Sequence, residues 1–391
     1  MSVALIARTL ASTLELESDD YSIIAIEGMH RVGKTTLARN AFADLAYVDL
    51  ADLSPKMLAK ASPREFFALY GSRVIIDNIE AAPALLEHLP AGPHVKVVLV
   101  GNLTDQQRAL ITDNGAGKSY TLMPLSQREV TGRTSEPFAQ QSVPVTMSYP
   151  NPYFLDVIRN GSLPRPALQT TTHAFYEAWL AGFFDQVVRN TMHVAKEALF
   201  FQYLKALANN NMCELNHYAL AQTAGISYGT AMYWTRYLVN CGLLLEVPSL
   251  ILPQRRQVKR PKVCFSDSGL LCHLLGCVSS DDIAQHASYA QIIEGFIVAE
   301  IMKGYRAWGQ EAPIFFYRDT SKKHISWLLA TSRGYLPMGL LSAKGRDSSQ
   351  MLREMLVLSR MGETVTDPVL VTDGTLMKEH TEIALLAATD L

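Results

Sequence analysis

The sequence lacks both long hydrophobic runs and a strong net charge of either sign. No apolar stretch approaches the length of a membrane span. The formal net charge of −2 over 391 residues excludes a generally basic nucleic-acid coat and leaves room only for a local basic patch. Residues 1–16 are predicted to form a short amphipathic helix. No basic segment precedes their apolar residues, so we expect no signal peptide. We expect a cytoplasmic protein without membrane contact.

Cysteine is also scarce. The five cysteines (Cys213, Cys241, Cys264, Cys272 and Cys277) show neither C-x-x-C pairs nor a regular spacing. A disulfide scaffold is therefore excluded, and reduced structural thiols are expected. With 48% hydrophobic and 18% charged residues, the composition is that of a folded protein, and the length predicts roughly two to four domains.

The clearest motif follows an apolar, strand-like run at residues 23–26. The spacing Gly-x-x-x-x-Gly-Lys-Thr is typical of a phosphate-binding loop, and an apolar pattern of helical period comes after it. In such a loop, backbone N–H groups and the helix N-terminus hold phosphates, the lysine adds a charge, and the threonine hydroxyl ligates Mg²⁺. The predicted nucleotide-binding residues are Gly28, Met29, His30, Arg31, Val32, Gly33, Lys34, Thr35 and Thr36.

Further apolar runs at residues 47–50, 74–76 and 97–100 alternate with helical segments. Strands without polar alternation indicate a parallel sheet covered on both faces, so residues 1–130 are predicted to be a P-loop NTPase domain. Two helix starts are also expected, at the capping box of Ser62 and Glu65 and at Thr104.

Two polar residues follow these strands. Asp77 ends the 74–76 run, where P-loop domains place the carboxylate that holds Mg²⁺. Asn102 lies just past the next strand and is interpreted either as a contact to the γ-phosphate or attacking water, or as a simple turn residue. A nucleotide and Mg²⁺ are the predicted cofactors, with Thr35 and Asp77 as the metal ligands.

Several short motifs together resemble a family of prokaryotic AAA+ ATPases. These proteins join a P-loop domain to a winged helix and to a C-terminal domain related to the PD-(D/E)XK nucleases. The motifs are residues 31–36, residues 74–77, residues 124–126 with Glu129, residues 161–164, residues 260–265, Asp267, and residues 269–270. The resemblance implies an α/β P-loop core, a linker and helical lid at 131–195, a winged helix at 196–265 and a nuclease-like α/β domain at 266–391. It also implies ATP rather than GTP as the nucleotide, and it leaves a homo-oligomer open.

The chain departs from this family at positions that matter for hydrolysis. Family members usually have a glutamate directly after the Mg²⁺-binding aspartate, whereas this chain has Asn78. Glu80 is the candidate replacement for that catalytic base. Family members also tend to have a Gly-Arg pair before the 124–126 motif, where this chain has Gly117 and Lys118, and lysine lacks the planar fork of an arginine finger. We therefore expect nucleotide binding with slow or negligible turnover.

Residues 214–245 carry the pattern of a helix-turn-helix. Gly225 supplies the turn, Ser227 caps the second helix, and Gly242 ends it before two strand-like runs that predict a wing hairpin. Ser227, Tyr228, Thr230 and Arg236 on the second helix are candidate DNA contacts, as is a basic patch on the wing made of Arg255, Arg256, Lys259, Arg260 and Lys262. Double-stranded DNA is one interpretation of this surface. A protein-docking face or a solvated strand edge is the other.

The C-terminal domain has lost the residues that nuclease chemistry requires. By the family pattern, Ser326 stands where an aspartate is expected, and Ser342 replaces the acid that pairs with Lys344, so only Lys344 and Glu294 remain. Because a hydroxyl brings no negative charge to Mg²⁺, we expect this domain to be inactive as a nuclease. A strand at residues 368–371 and a terminal helix are expected to complete it.

Three functions fit these residues. The first is an ATP-dependent switch with slow or negligible hydrolysis, in which the γ-phosphate sets the arrangement of the domains. The second is an active ATPase that remodels a partner, with Glu80 or a residue of a neighbouring subunit as the base. The third is a DNA-binding regulator in which the nucleotide is structural.

Overall fold

The first sheet is built from the predicted apolar runs. The computed structural model describes residues 6–113, 115–135, 137–138, 153–164, 172–189, 191–192, 194–252, 259–319, 324–341, 359, 363–366, 369–372 and 384–387. The N-terminal elements are α1 (Thr9–Glu17), β1 (Ile23–Glu27), α2 (Lys34–Ala41), β2 (Ala46–Asp49), α3 (Leu53–Ala61), α4 (Pro63–Tyr70), β3 (Arg73–Asp77), β4 (Lys96–Val100), α5 (Asp105–Thr112), β5 (Gly117–Thr121) and α6 (Gln127–Val130). Short 3₁₀ turns cover Ser18–Asp20, Ile79–Ala81 and Pro83–His88.

The five strands β1 to β5 form one parallel sheet in the order β2-β3-β4-β1-β5. Alternate residues along β1 enter different cores, because Ile24 and Ile26 belong to the large core cluster whereas Ile23 and Ala25 belong to a second cluster on the other face. Both faces of the sheet are thus covered, and the prediction of a parallel α/β sheet is confirmed.

The two predicted helix starts have different outcomes. Thr104 forms a full capping box with Gln107, as expected. Ser62 makes no side-chain cap hydrogen bond, so the capping box predicted there is wrong. The helix nevertheless begins at Pro63, because a proline at the first helical position presets the backbone without needing its N–H.

The middle of the chain is helical. It contains α7 (Phe154–Asn160), α8 (Thr172–Phe183), a π-helical continuation (Phe184–Arg189), α9 (Glu197–Asn209), β6 (Cys213–Glu214), α10 (His217–Ala224), α11 (Tyr228–Asn240), β7 (Leu244–Val247) and β8 (Lys262–Phe265). Gly225 has φ +68 at the turn between α10 and α11, and Ser227 accepts the Thr230 amide, as expected. β7 pairs antiparallel with β8, which agrees with the expected hairpin, and its connection at 253–258 lies outside the described residues.

The last part of the chain forms a mixed sheet behind a long helix. Its elements are α12 (Ser268–Leu275), α13 (Ser280–Gln285), α14 (Tyr289–Arg306), β9 (Ile314–Arg318), β10 (His324–Thr331), β11 (Gly334–Leu341), β12 (Val369–Thr372) and β13 (Ala384–Ala387). The strand order is β13-β12-β11-β10-β9, with β9, β10 and β11 antiparallel and the other pairs parallel.

The terminal helix expected from the sequence is wrong over Ala384–Ala387. These residues form a strand that pairs parallel with β12. A short apolar run of this kind fits a buried strand as well as a helix. Here it pairs with the edge of β12 that β11 does not occupy, and this pairing makes it a strand. Among the described residues, no helix combines the length and the apolar character needed to cross a bilayer.

A buried carboxylate joins the helical middle to the last part of the chain. Asp267 accepts hydrogen bonds from the Ser162 amide at 2.7 Å, the Tyr176 hydroxyl at 2.6 Å and the Leu270 amide at 2.7 Å. Gly269 is required beside it, because a Cβ at that position would overlap Tyr176. The motif residues at 161–164 and at 267–270, which are far apart in sequence, therefore meet in one structural anchor.

Candidate nucleotide-binding site

The predicted phosphate loop connects β1 to α2 at the carboxyl edge of the parallel sheet. Gly28 has φ +142, and a Cβ at this position would overlap the carbonyl oxygen of Leu122. Gly33 is left-handed with φ +104 and immediately precedes the first residue of α2. The two glycines therefore allow the tight backbone path that brings the loop to the N-terminus of α2, where helix N–H groups favour anions.

Lys34 lies inside the loop that it would serve. Its ammonium group donates to the carbonyl oxygens of Gly28 at 2.7 Å and Met29 at 3.0 Å. Burial lowers the pKa of Lys34, and the nearby carboxylates of Glu80 and Asp77 oppose this shift. The lysine thus has weak backbone partners that a phosphate oxygen would replace with a stronger charged one.

The predicted metal ligands Thr35 and Asp77 are in direct contact. The Thr35 hydroxyl donates to Asp77 Oδ2 at 2.6 Å, and the Tyr47 hydroxyl donates to the same oxygen at 2.9 Å. Asp77 is only 4% exposed. A hydroxyl beside a buried carboxylate at a phosphate loop fits the oxygen ligand set that Mg²⁺ prefers. Sequence reasoning missed Tyr47, because the alternation of strands and helices places it on a strand but does not show that this strand lies beside β3.

Asn78, which stands in the usual position of the base, turns away from the loop. It is left-handed with φ 57, and its side-chain amide donates to Asp49 Oδ1 at 2.7 Å. Asparagine tolerates this backbone conformation better than glutamate does. The residue therefore serves as a turn that starts the Ile79–Ala81 segment.

That turn carries the candidate base, Glu80, into the site. Glu80 lies close enough to Lys34 and Asp77 for their charges to affect it, and its Oε2 is buried without a hydrogen-bond partner among the described residues. Burial raises the pKa of Glu80 and Asp77 adds to the rise, whereas Lys34 and backbone hydrogen bonds from Glu80 and Asn102 oppose it. An unpaired buried carboxylate oxygen is costly for folding, and such groups concentrate at functional sites.

Asn102 also reaches the loop. Its Oδ1 accepts the Gly28 amide at 3.0 Å, and the next residue, Leu103, donates its amide to Glu27 Oε2 at 3.0 Å. Glu27 ends β1 and is further held by Arg108 through Nε at 2.7 Å and Nη2 at 2.9 Å. The segment after β4 is thus hydrogen-bonded both to Glu27, the last residue of β1, and to Gly28 in the loop. The sequence analysis identified only Asn102 in this segment.

Helix α8 covers one side of the loop. The Trp179 indole N–H donates to the His30 carbonyl at 3.0 Å, and a Cβ at Gly182 would lie 3.3 Å from both His30 Nε2 and Arg31 Cζ. Burial, with the charges of Arg31 and Lys34, lowers the pKa of His30 to about 4, so this imidazole is neutral near pH 7. Trp179 itself is 1% exposed, so its ring lies in the core.

The end of α11 covers another side. A Cβ at Gly242 would lie 3.6 Å from the Met29 amide, and the Ser266 hydroxyl lies 3.5 Å from Met29 Sδ. Between α11 and the segment after β4 is a cavity of about 630 Å³, and its wall includes Glu80, Asn102 and Cys241. Both side chains proposed for water positioning therefore border space that is large enough for solvent.

The other predicted residues have varied surroundings. Thr36 is exposed. Lys118 donates to Glu17 Oε2 at 2.5 Å, so its ammonium is engaged within the chain. Ser326 is buried on β10, whereas Ser342 and Lys344 lie outside the described residues.

The predicted DNA-contact set needs one correction. Lys262 was included as a phosphate contact, but it is 5% exposed, and its ammonium lies 3.2 Å from His324 Nε2 and over the Phe316 ring. A buried ammonium cannot follow a DNA backbone. Arg236 pairs with Asp105 on α5, whereas Lys259 and Arg260 are exposed and Arg255 and Arg256 lie outside the described residues.

Two family models match the chain. One, described as an AAA domain, matches residues 20–131. This region is an AAA-like P-loop domain. The other is described as a domain of unknown function (DUF8612) and matches residues 151–281, which include α7, α11 and α12. No curated protein matches the chain.

Several solved structures are similar to the chain at low identity. A Walker-type ATPase of Pyrococcus abyssi is 13% identical, with 69% of this chain and 96% of that chain covered and a TM-score of 0.38. A STAND protein with a tetratricopeptide repeat sensor from Pyrococcus horikoshii is 12% identical, with 78% and 48% covered and a TM-score of 0.27. A chain of Drosophila ORC bound to DNA is 10% identical, with 70% and 89% covered and a TM-score of 0.25.

Proposed function

We propose that the protein is an ATP-binding switch with slow or negligible hydrolysis. The observation that carries this proposal is the convergence of Lys34, Thr35 and Asp77 at the phosphate loop. Lys34 would hold the β and γ phosphates of ATP, and Thr35 and Asp77 would hold Mg²⁺, which neutralises phosphate charge when bound. Asn78 turned toward Asp49 supports slow turnover, since no carboxylate occupies the usual place of the base.

The surroundings of the loop support the switching role. Helix α8 contacts the loop through Trp179, and the end of α11 contacts it through Gly242. A nucleotide that displaces Lys34 from the carbonyls of Gly28 and Met29 must alter the segment on which both helices rest. The contacts that differ between the bound and free states would therefore be passed to the helical part of the chain.

An active ATPase is the second candidate, and the environment of Glu80 favours it. The unpaired Oε2 of Glu80 borders the same cavity as Asn102 and is near Lys34. A carboxylate with a raised pKa in that place can accept a proton from an attacking water. In this alternative, the turn at Asn78 moves the base three residues along the chain.

DNA association and the loss of nuclease activity belong to the same proposal only as secondary features. Lys259 and Arg260 are the exposed residues of the basic patch within the described part of the chain. Ser326 in place of an acid supports an inactive nuclease-like fold at the C-terminus. The arrangement of α10, α11 and the β6-β8-β7 sheet supports a winged helix.

ATP binding and single-turnover hydrolysis by the full chain, with and without Mg²⁺, test both candidates. Lys34→Ala should weaken ATP binding about 10–100-fold, as expected for losing a hydrogen bond to a charged group worth about 1.5–3 kcal/mol. For a switch, the wild type binds ATP with negligible turnover. Ready wild-type hydrolysis that Glu80→Gln abolishes would establish the second candidate. Absence of ATP binding would overturn both.

A further inference from the structure

Two histidines and a glutamate meet on the surface where α8 faces α12. Glu177 Oε1 lies 3.2 Å from His273 Nε2 and 3.9 Å from His173 Nε2. Within the described ranges, this is the one group of three metal-ligating side chains whose donor atoms all lie within 4.8 Å of one another. The phosphate loop uses none of these residues.

The donor types and spacings fit a divalent transition metal. Two imidazole nitrogens and one carboxylate oxygen form a ligand set that Zn²⁺ takes in open sites, with water in the fourth place. Bond lengths of about 2.0–2.1 Å in a tetrahedron separate neighbouring ligand atoms by roughly 3.3 Å. The His273–Glu177 distance already has this value, and His173, whose side chain is 62% exposed, is free to adjust its rotamer.

The backbone under the cluster is fixed. Glu177 follows Tyr176, whose hydroxyl donates to the buried Asp267 at 2.6 Å. His273 lies one helical turn after Gly269, at the point where α12 touches the Tyr176 ring. The two helices are therefore locked together beside the ligands, which reduces the cost of bringing the donor atoms into place.

The charge at the cluster also suits a cation. Glu177 contributes the one negative charge of the three ligands.

We propose that His173, Glu177 and His273 form a site for a divalent transition metal ion of the Zn²⁺ class, which clamps α8 to α12. Because α8 also carries Trp179, which holds the loop carbonyl of His30, the clamp stiffens the helix that covers the nucleotide site. The site itself does not depend on nucleotide binding and can be tested without ATP.

The test titrates metal-free full-length protein with Co²⁺, followed by visible absorption, and with Zn²⁺, followed by calorimetry. One equivalent of each ion should bind. His173→Gln and Glu177→Gln should each weaken binding at least about 10-fold, since each removes one of three ligands. Both side chains are more than 60% exposed, so the metal-free variants should keep the wild-type melting temperature. His88→Gln is the matched control, because it removes an exposed histidine that is far from the cluster in sequence and lies in the AAA-like region, residues 20–131.

Several results would overturn the proposal. These are failure of the wild type to bind either ion, equal affinity in wild type, His173→Gln and Glu177→Gln, or an equal loss in His88→Gln. A thiolate-to-Co²⁺ charge-transfer band would also do so, since it would place the ion on cysteine. Zn²⁺ should raise the melting temperature of the wild type and of His88→Gln but not of His173→Gln.

Discussion

The guanidinium of Arg236 on α11 hydrogen-bonds the carboxylate of Asp105, the first residue of α5. Asp105 also accepts from Arg108 Nη1 at 3.0 Å, and Arg108 in turn holds Glu27 directly before the phosphate loop. The sequence separations are large, 131 residues for the first contact and 81 for the last. The side chains of Arg236, Asp105, Arg108 and Glu27 therefore form a row of alternating charges. This row runs from α11 to the last residue of β1, directly before the phosphate loop.

We expect this row to transmit nucleotide occupancy to α11. In the wild type, ATP should increase the hydrogen-exchange protection of α11, and Arg236→Ala or Asp105→Asn should remove that increase. Arg236 is exposed, so its loss should barely change the melting temperature. The measurement is amide hydrogen exchange with and without ATP.

Arg189→Ala is the matched control for Arg236→Ala, because Arg189 is also an exposed arginine with carboxylate partners, Asp185 and Glu197, but does not contact α5. The double variant Asp105→Arg with Arg236→Asp should restore part of the ATP effect. Equal ATP-induced protection in the wild type and Arg236→Ala would show that α11 does not receive the signal through this pair.

The Arg108–Glu27 pair should matter for stability. Glu27 is 2% exposed in its side chain and Arg108 is 32% exposed, so Arg108→Ala leaves a buried carboxylate without its cation. We expect a loss of about 3 kcal/mol in the free energy of unfolding, the lower end of the range for breaking a buried pair, measured by urea denaturation. Arg73→Ala removes an exposed pair with Asp44 and should cost less than about 1 kcal/mol. Similar losses in both variants would contradict the argument.

The local signals of the chain were sufficient for much of this site. The loop spacing and the apolar strands located Lys34, Thr35 and Asp77, because sequence-adjacent residues and parallel strand ends fix their places. Thr104 and Ser227 were predicted as caps for the same reason, since a cap depends on a residue only three positions away.

Contacts between distant segments were not readable. Nothing in the pattern around Trp179 or Gly242 indicates that they lie on the phosphate loop, since their partners are about 150 and 210 residues away along the chain. Lys262 was misassigned because a basic residue in a charged run reads as exposed, whereas its strand register turns it into the interior beside His324. The helix predicted near the C-terminus was wrong at Ala384–Ala387 for a related reason, because pairing with β12 makes these residues a strand.

The requirement for glycine at position 28 gives another prediction. A Cβ there would overlap a backbone oxygen, that of Leu122, which has no rotamer with which to move away. Gly28→Ala should therefore shift the loop, lower the melting temperature and abolish ATP binding. Gly132→Ala is the control, since Gly132 also has positive φ, +74, but an added Cβ would meet nothing within 4 Å. If the two variants bind ATP equally well, the close approach at Leu122 does not shape the loop.

Glu80→Gln should stabilise the fold in a pH-dependent way. Burial raises the pKa of Glu80 above its ordinary value of 4.5, so the folded state prefers the protonated acid, and the stability this gives is lost as pH rises through the folded-state pKa. Glutamine mimics the neutral form at every pH. The melting temperature of Glu80→Gln minus that of the wild type should thus be near zero below pH 4.5 and should grow as pH rises toward neutral.

Thermal melts in matched buffers measure this difference, with Glu87→Gln, which changes an exposed acid in the same region, as the control. A difference that is constant with pH would mean that Glu80 is ionised at little cost and that Lys34 outweighs burial. Saturating ATP should enlarge the difference if phosphate draws Lys34 away from this carboxylate, because Glu80 then loses the charge that opposes its raised pKa.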